Sequence, residues 1–172
     1  MKIYLIGYMG SGKSTLGREL AKALGISWTD LDNEFELRYK ISISGFFEKY
    51  GENAFRELEH KVLTDISVIP DLVVSTGGGT PCFHDNMKLM NQTGLTIYLS
   101  ATPELILSRI EFSARKRPVF HLMQGRNSIQ NIAQHLKTRE MFYEQAKVTI
   151  DATKPEIEDL KKIIRDYTSI IS

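Results

Sequence analysis

"GYMGSGKS", residues 7–14, follows the apolar run "IYLI" near the start of the chain. Its spacing is G-x-x-x-x-G-K-[ST], the phosphate-binding loop that leads from a buried strand into a helix. Gly7, Gly10 and Gly12 permit backbone conformations and close approaches that a Cβ would obstruct. The loop amides then form an anion nest, and the N-terminus of the next helix adds its positive end. In such a loop Lys13 reaches the β and γ phosphates, and the Ser14 hydroxyl is a ligand for Mg²⁺. A phosphate is held here; the rest of the chain must say what becomes of it.

Working outward, apolar runs alternate with helix-like segments. "KIYLI" reads as the first strand. In "KSTLGRELAKAL" Leu16, Leu20, Ala23 and Leu24 share one helical face, and Gly25 ends the helix. "SWTDLD" reads as a short second strand with acids at its end. A helical region follows from about residue 33 through "FRELEHKVLTDI", broken near Gly45 and Gly51. "DLVVST", "LTIYL" and "VTID" are the third, fourth and fifth strands, with "MKLMNQ" and "PELILSRI" as helices between them. "KPEIEDLKKIIRDYTSII" closes the chain as an amphipathic helix with Ile157, Leu160, Ile163, Ile164 and Tyr167 inward. Strands separated by helices predict an α/β fold, a three-layer α/β/α sandwich on a five-stranded parallel sheet. Ligands of such sheets gather at the carboxyl ends of the strands. Residues 111–128, "EFSARKRPVFHLMQGRNS", are basic and long for a connection, which suits a lid.

Composition narrows the class. A length of 172 residues suits one domain with one core. The net charge of +1 removes a bulk electrostatic case for nucleic acid. No apolar run nears the roughly 18 residues of a membrane span, and the N-terminus reads as a strand and not as a signal peptide. One cysteine, Cys82, rules out an internal disulfide and fits a small buried thiol in a reducing cytoplasm. His60, His84, His121 and His135 lack metal-ligand spacing and read as surface or packing residues. A cytoplasmic monomer without nucleic-acid or membrane partners is the expectation.

Three further stretches carry candidate chemistry. In "TDLD", Asp30 and Asp32 lie two apart and point the same way in an extended chain. One acid near a metal and one near an acceptor hydroxyl suit phosphoryl transfer. The alternative is that one of them, followed by Asn33 and Glu34, caps the next helix. "TGGGTP", residues 76–81, ends the third strand at the same sheet edge. Its glycines let backbone approach a ligand, or make a plain turn. Arg56 has Glu59 three positions on, within helical reach, and a solvated surface pair is the ordinary outcome of that spacing. "ARKRP" offers Arg117 to a transferring phosphoryl group, with a merely solvated basic loop as the alternative.

Taken in order, these pieces resemble shikimate kinase over nearly the whole chain. The matching features are "GYMGSGKS", "DLD", "GENAFRELE", "STGGG", "RPVF" and "REMFYEQA". The resemblance implies a P-loop kinase of the nucleoside-monophosphate-kinase-like fold, which moves the γ-phosphate of ATP to the 3-hydroxyl of shikimate. It implies ATP contacts from Gly10, Ser11, Gly12, Lys13, Ser14, Thr15 and Arg117, with Arg109 and Pro155 flanking adenine, and Mg²⁺ served by Ser14 and Asp30. Asp32 then binds shikimate hydroxyls and accepts the 3-hydroxyl proton. Arg56 and Arg139 clamp the carboxylate, Glu59 orients Arg56, Gly77, Gly78 and Gly79 contribute from the glycine turn, and Phe47 and Phe55 wall the pocket. Lys13, Asp32 and Arg117 form the implied catalytic set, and residues from about 33 to 62 the substrate-binding region. Phe120 and Met141 replace residues common in the family, both by apolar side chains.

Rival readings are another small-molecule P-loop kinase, for gluconate or a nucleoside monophosphate, or a non-catalytic nucleotide-binding relative. The first lacks the D-x-D, F-R-x-x-E and G-G-G set together. The second would be expected to lose Lys13, Asp32 or an arginine. A GTPase switch needs an N-K-x-D string, which does not occur.

Overall fold

β1 (Lys2–Ile6) is buried along its whole length, as the apolar run Ile3–Ile6 at the centre of a sheet must be. In this computed structural model, which describes residues 1–114 and 129–171, it is flanked on both sides. β3 (Leu72–Ser75) and β4 (Leu95–Ser100) pair with it in parallel, β2 (Ser27–Asp30) lies outside β3, and β5 (Val148–Asp151) lies outside β4. The order β2-β3-β1-β4-β5 gives the expected five-stranded parallel sheet. After β1 the chain crosses toward the β2 edge, and after β4 it crosses to the β5 edge. Two adjacent strands therefore send their exits in opposite directions, which opens a crevice at their carboxyl ends.

The helices are α1 (Lys13–Leu24), α2 (Leu31–Tyr39), α3 (Ile43–Ile66), α4 (Asn86–Thr93), α5 (Pro103–Ala114), α6 (Ile129–Tyr143) and α7 (Ile157–Ile171), with a 3₁₀ turn at Thr80–Cys82. α1 buries Leu16, Gly17, Leu20 and Ala21 against β2 and β3, while Leu24 is half-buried and Ala23, expected inward, is exposed. Gly17 explains this rotation. A Cβ there would stand 2.6 Å from Nε1 of Trp28 and 2.5 Å from the Ser75 hydroxyl, so α1 sits on the sheet at its smallest residue. α7 buries Leu160 and Ile164, half-buries Ile157, Ile163 and Tyr167, and packs beside α1.

Two boundaries differ from expectation. The second strand stops at Asp30, so Asp32 lies in the first turn of α2 and not in a strand. The break in the helical region falls at residues 40–42, where Lys40 adopts φ 56° and Ser42 caps α3, and Gly45 lies within the first turn of α3. Gly51 does interrupt α3, with φ 80°. α6 fills a stretch for which the apolar pattern predicts no element; its buried positions are only Ile132 and Tyr143. Cys82 is half-buried rather than enclosed. No helix among the described residues is long and apolar enough to cross a membrane.

Candidate active site

The loop after β1 runs into α1 with Gly10 at φ 79° and Gly12 at φ 101°, backbone conformations that favour glycine. Gly12 stands at the N-cap of α1 with no side-chain cap and no acid in the first turn. α2 and α3, by contrast, are capped by Asp30 and Ser42. α1 alone of these three presents its first amides and its positive end without a side-chain cap, which is what an anion requires. The Lys13 ammonium is buried and donates to the carbonyls of Gly7 and Tyr8, both at 2.8 Å. Burial lowers its pKa to about 8, against the pull of Asp32 and Asp30. Beside the loop lies a cleft of about 820 Å³ lined by Gly10 through Leu16, Arg109, Phe112 and residues 152–155.

Asp30 does two things at once. One carboxylate oxygen accepts from the amides of Asp32 (3.1 Å) and Asn33 (3.5 Å), capping α2. The other accepts from the Ser14 hydroxyl at 2.5 Å. The capping reading of "TDLD" therefore holds for Asp30, whose other oxygen stays beside Ser14. Asp32, turned inward by the helix, is half-buried. Burial raises its pKa to about 6, helped by Asp30 and Glu59 and opposed by Lys13 and Arg56.

The glycine turn gathers the remaining groups. A Cβ on Gly77 would stand 2.7 Å from the Asp32 carboxylate and 3.2 Å from that of Glu59. One on Gly79 would stand 2.5 Å from an Arg56 guanidinium nitrogen. One on Gly78 would meet the Met9 amide nitrogen at 3.1 Å and an Arg139 guanidinium nitrogen at 3.6 Å. The two guanidinium groups therefore lie on the same side of the sheet as the phosphate loop, across a three-glycine strip.

Comparison with known proteins gives the family. The Shikimate kinase family model matches residues 9–168. The chain is 44% identical to the shikimate kinase of Parabacteroides distasonis, over 89% of this chain and 88% of that one. Among solved structures, shikimate kinase from Bacteroides thetaiotaomicron superposes with a TM-score of 0.89 at 35% identity, covering 96% and 98% of the two chains. The Acinetobacter baumannii enzyme in complex with shikimate gives 0.83 at 36% identity, covering 98% and 93%. The chain belongs to the shikimate kinase family.

The placement of the other expected residues follows. Arg56 donates through Nη1 to Glu59 at 2.8 Å, and through Nε and Nη2 to Glu52 at 3.2 and 3.0 Å. Glu59 is 2% exposed, so the pair is no solvated surface pair. Phe47 and Phe55 stack with ring centroids 4.7 Å apart, and Phe55 lies 5.0 Å beneath the Arg56 guanidinium. Arg109 and Pro155 both line the cleft beside the loop. Arg109 donates to the carbonyls of Ser11 (2.6 Å) and Ala152 (2.7 Å), tying the phosphate loop to the exit of β5. Thr15 also lines the cleft. Arg117 and most of the expected lid lie outside the described residues; residues 111–114 end α5.

Several neighbours escape sequence reasoning. Phe83 stacks on Arg56 at 4.2 Å. Tyr143, buried on α6 one turn after Arg139, donates to the Gly78 carbonyl at 2.6 Å and bonds the Arg139 side chain. Its spacing of four from Arg139 is the one signal that pointed there. Tyr8 bonds His135 at 2.8 Å, joining the phosphate loop to α6. Nothing in the spacing of these two residues reveals it.

Proposed function

We infer that this chain transfers the γ-phosphate of ATP to the 3-hydroxyl of shikimate, giving shikimate 3-phosphate and ADP on the route to chorismate and the aromatic amino acids. The observation that carries this reading is the glycine strip, with the uncapped helix and Lys13 on one side and Asp32, Arg56 and Arg139 on the other. Residues 1–172 act as one kinase domain.

Gly10, Ser11, Gly12, Lys13, Ser14 and Thr15 hold the phosphates, and the Lys13 ammonium leaves the Gly7 and Tyr8 carbonyls to meet them. Arg56 and Arg139 grip the shikimate carboxylate by charge-assisted hydrogen bonds. Arg56 already has Glu52 and Glu59 on three of its five N–H groups, so two remain for substrate. Asp32, with a pKa of about 6, is ionised at neutral pH yet basic enough to accept the 3-hydroxyl proton. Gly77, Gly78 and Gly79 provide the floor, Phe47 and Phe55 the wall, Arg109 and Pro155 the adenine site, and Arg117 the charge on the transferring group. Catalysis is then chiefly positioning and charge stabilisation.

The donor set also fits Mg²⁺. Ser14 and Asp30 bring two hard oxygens together beside the cradle, and this ion takes one or two protein oxygens and keeps several waters. When bound, it neutralises charge on the phosphates. The enzyme acts as a monomer, and its lone thiol fits the cytoplasm.

A coupled assay with ATP, Mg²⁺ and shikimate, with gluconate and nucleoside monophosphates as alternative acceptors, tests the substrate. Turnover with shikimate alone is expected; a faster reaction with another acceptor would overturn the reading. Asp32→Asn should abolish transfer while ATP binding, followed by calorimetry, stays nearly intact.

A further inference from the structure

The Arg56–Glu59 pair has a support that phosphate and shikimate chemistry do not account for. Glu59 uses one carboxylate oxygen for Arg56. Its other oxygen accepts from the Thr80 hydroxyl at 2.6 Å. Thr80 is fully buried, and its carbonyl accepts from the side-chain amide of Asn86 at 2.8 Å. Asn86, also fully buried, is bonded through its oxygen to the His60 ring at 2.6 Å. His60 is the residue after Glu59 on α3. The loop is closed: α3 holds Asn86, Asn86 holds the 3₁₀ turn, and the turn holds Glu59 from the side opposite to Arg56.

Such a ring is more than glue between elements. A buried carboxylate needs both its oxygens satisfied, and the loss of one donor leaves the full desolvation cost on the remaining atom. With Thr80 in place, Glu59 has one stable rotamer and Arg56 one bearing. Without it, Glu59 is free to turn. Arg56 would then follow its other partner, the half-exposed Glu52, away from the glycine strip.

We propose that Thr80, held by Asn86, is a positioning residue for the substrate carboxylate, acting through Glu59 on Arg56 and touching no substrate itself. This rests on reading Arg56 as part of the carboxylate grip. The consequence is selective. Thr80 bears on shikimate and leaves the nucleotide cleft alone, because none of its partners lines that cleft.

The test compares Thr80→Val, nearly isosteric without the hydroxyl, with Thr80→Ser, which restores it, using full-length enzyme. Thr80→Ala serves if valine packs too tightly to fold, as thermal unfolding would reveal. The KM for shikimate should rise on the order of tenfold in the valine or alanine variant, as the loss of one hydrogen bond to a charged group predicts. The KM for ATP should stay within twofold, and serine should restore the shikimate value. In an Arg56→Ala background, measured by shikimate calorimetry, removing the Thr80 hydroxyl should add less than twofold. An unchanged shikimate KM, a parallel rise for ATP, or a full effect without Arg56 overturns the proposal. If Arg56→Ala alone leaves shikimate affinity intact, the carboxylate reading of Arg56 fails and this inference fails with it.

Discussion

Gly79→Ala isolates the role of Arg56 with one methyl group. Gly79 has φ −90° and ψ −19°, a conformation that alanine adopts freely, so the backbone offers no resistance. The side chain does. Its Cβ would stand 2.5 Å from Nη2, 2.9 Å from Cζ and 2.9 Å from Nη1 of Arg56. Ordinary contact needs about 3.5 Å, so the guanidinium must move by roughly 1 Å. The turn cannot yield instead, because Thr80 and Cys82 anchor it through Glu59 and the Gly79 carbonyl. Moving the guanidinium strains its 2.8 Å bond to Glu59 and misaims the two N–H groups left for substrate. A charge-assisted hydrogen bond is worth about 1.5–3 kcal/mol, which is roughly 10- to 100-fold in affinity. Steady-state kinetics should therefore show the shikimate KM rising by that factor, with the ATP KM unchanged. Thermal unfolding should shift little, since a flexible side chain absorbs the clash. A shikimate KM within twofold of wild type, in a folded variant, would refute the placement of Arg56 beside the glycine strip.

Other perturbations reach the remaining groups. Arg139→Ala should raise the shikimate KM by about 30-fold, the equivalent of about 2 kcal/mol for a charge-assisted contact, and leave ATP unaffected; equal effects on both substrates would count against the clamp. Asp30→Asn keeps a good helix cap but removes the carboxylate beside Ser14. The Mg²⁺ half-saturation should rise on the order of tenfold with little change in Tm, and a large fall in Tm instead would make Asp30 chiefly a cap. The pH profile of kcat/KM should have an acid limb near 6, where Asp32 takes up a proton, and an alkaline limb near 8, where free Lys13 loses one. Asp32→Asn should also be more stable than wild type at pH 7. The folded pKa of Asp32 is raised, so its contribution to stability falls as pH rises from about 4 to about 6, by an amount on the order of 3 kcal/mol. A chemical-denaturation midpoint below that of wild type would refute this sign.

The sheet was legible because its signals are local. A phosphate-loop spacing fixes a strand before it and a helix after it, and unbroken apolar runs mark strands covered on both faces. α6 was not legible for the same reason. Its chemistry-bearing residues, His135, Arg139 and Tyr143, point at the site, and only two of its residues are buried. A helix whose inner face is spent on polar contacts carries little apolar periodicity to read. The rotation of α1 that exposes Ala23 has a related cause: close packing at Gly17 is a property of the facing strands, which the helix sequence does not state.

In the site, the extended geometry expected of "TDLD" does not hold, because the strand ends at Asp30. An extended chain would have aimed Asp30 and Asp32 alike. The helix start separates them instead, leaving Asp30 at the rim with Ser14 and carrying Asp32 inward beneath Gly77. That separation is what divides their chemistry. Asp30 at the rim accepts three hydrogen bonds, while the half-buried Asp32, facing Glu59, becomes a better base. Two aspartates on one strand face would have shared one environment and differed little. The turn from strand to helix after Asp30 is thus the structural step that gives the two acids different surroundings, as the proposed division between metal and proton requires.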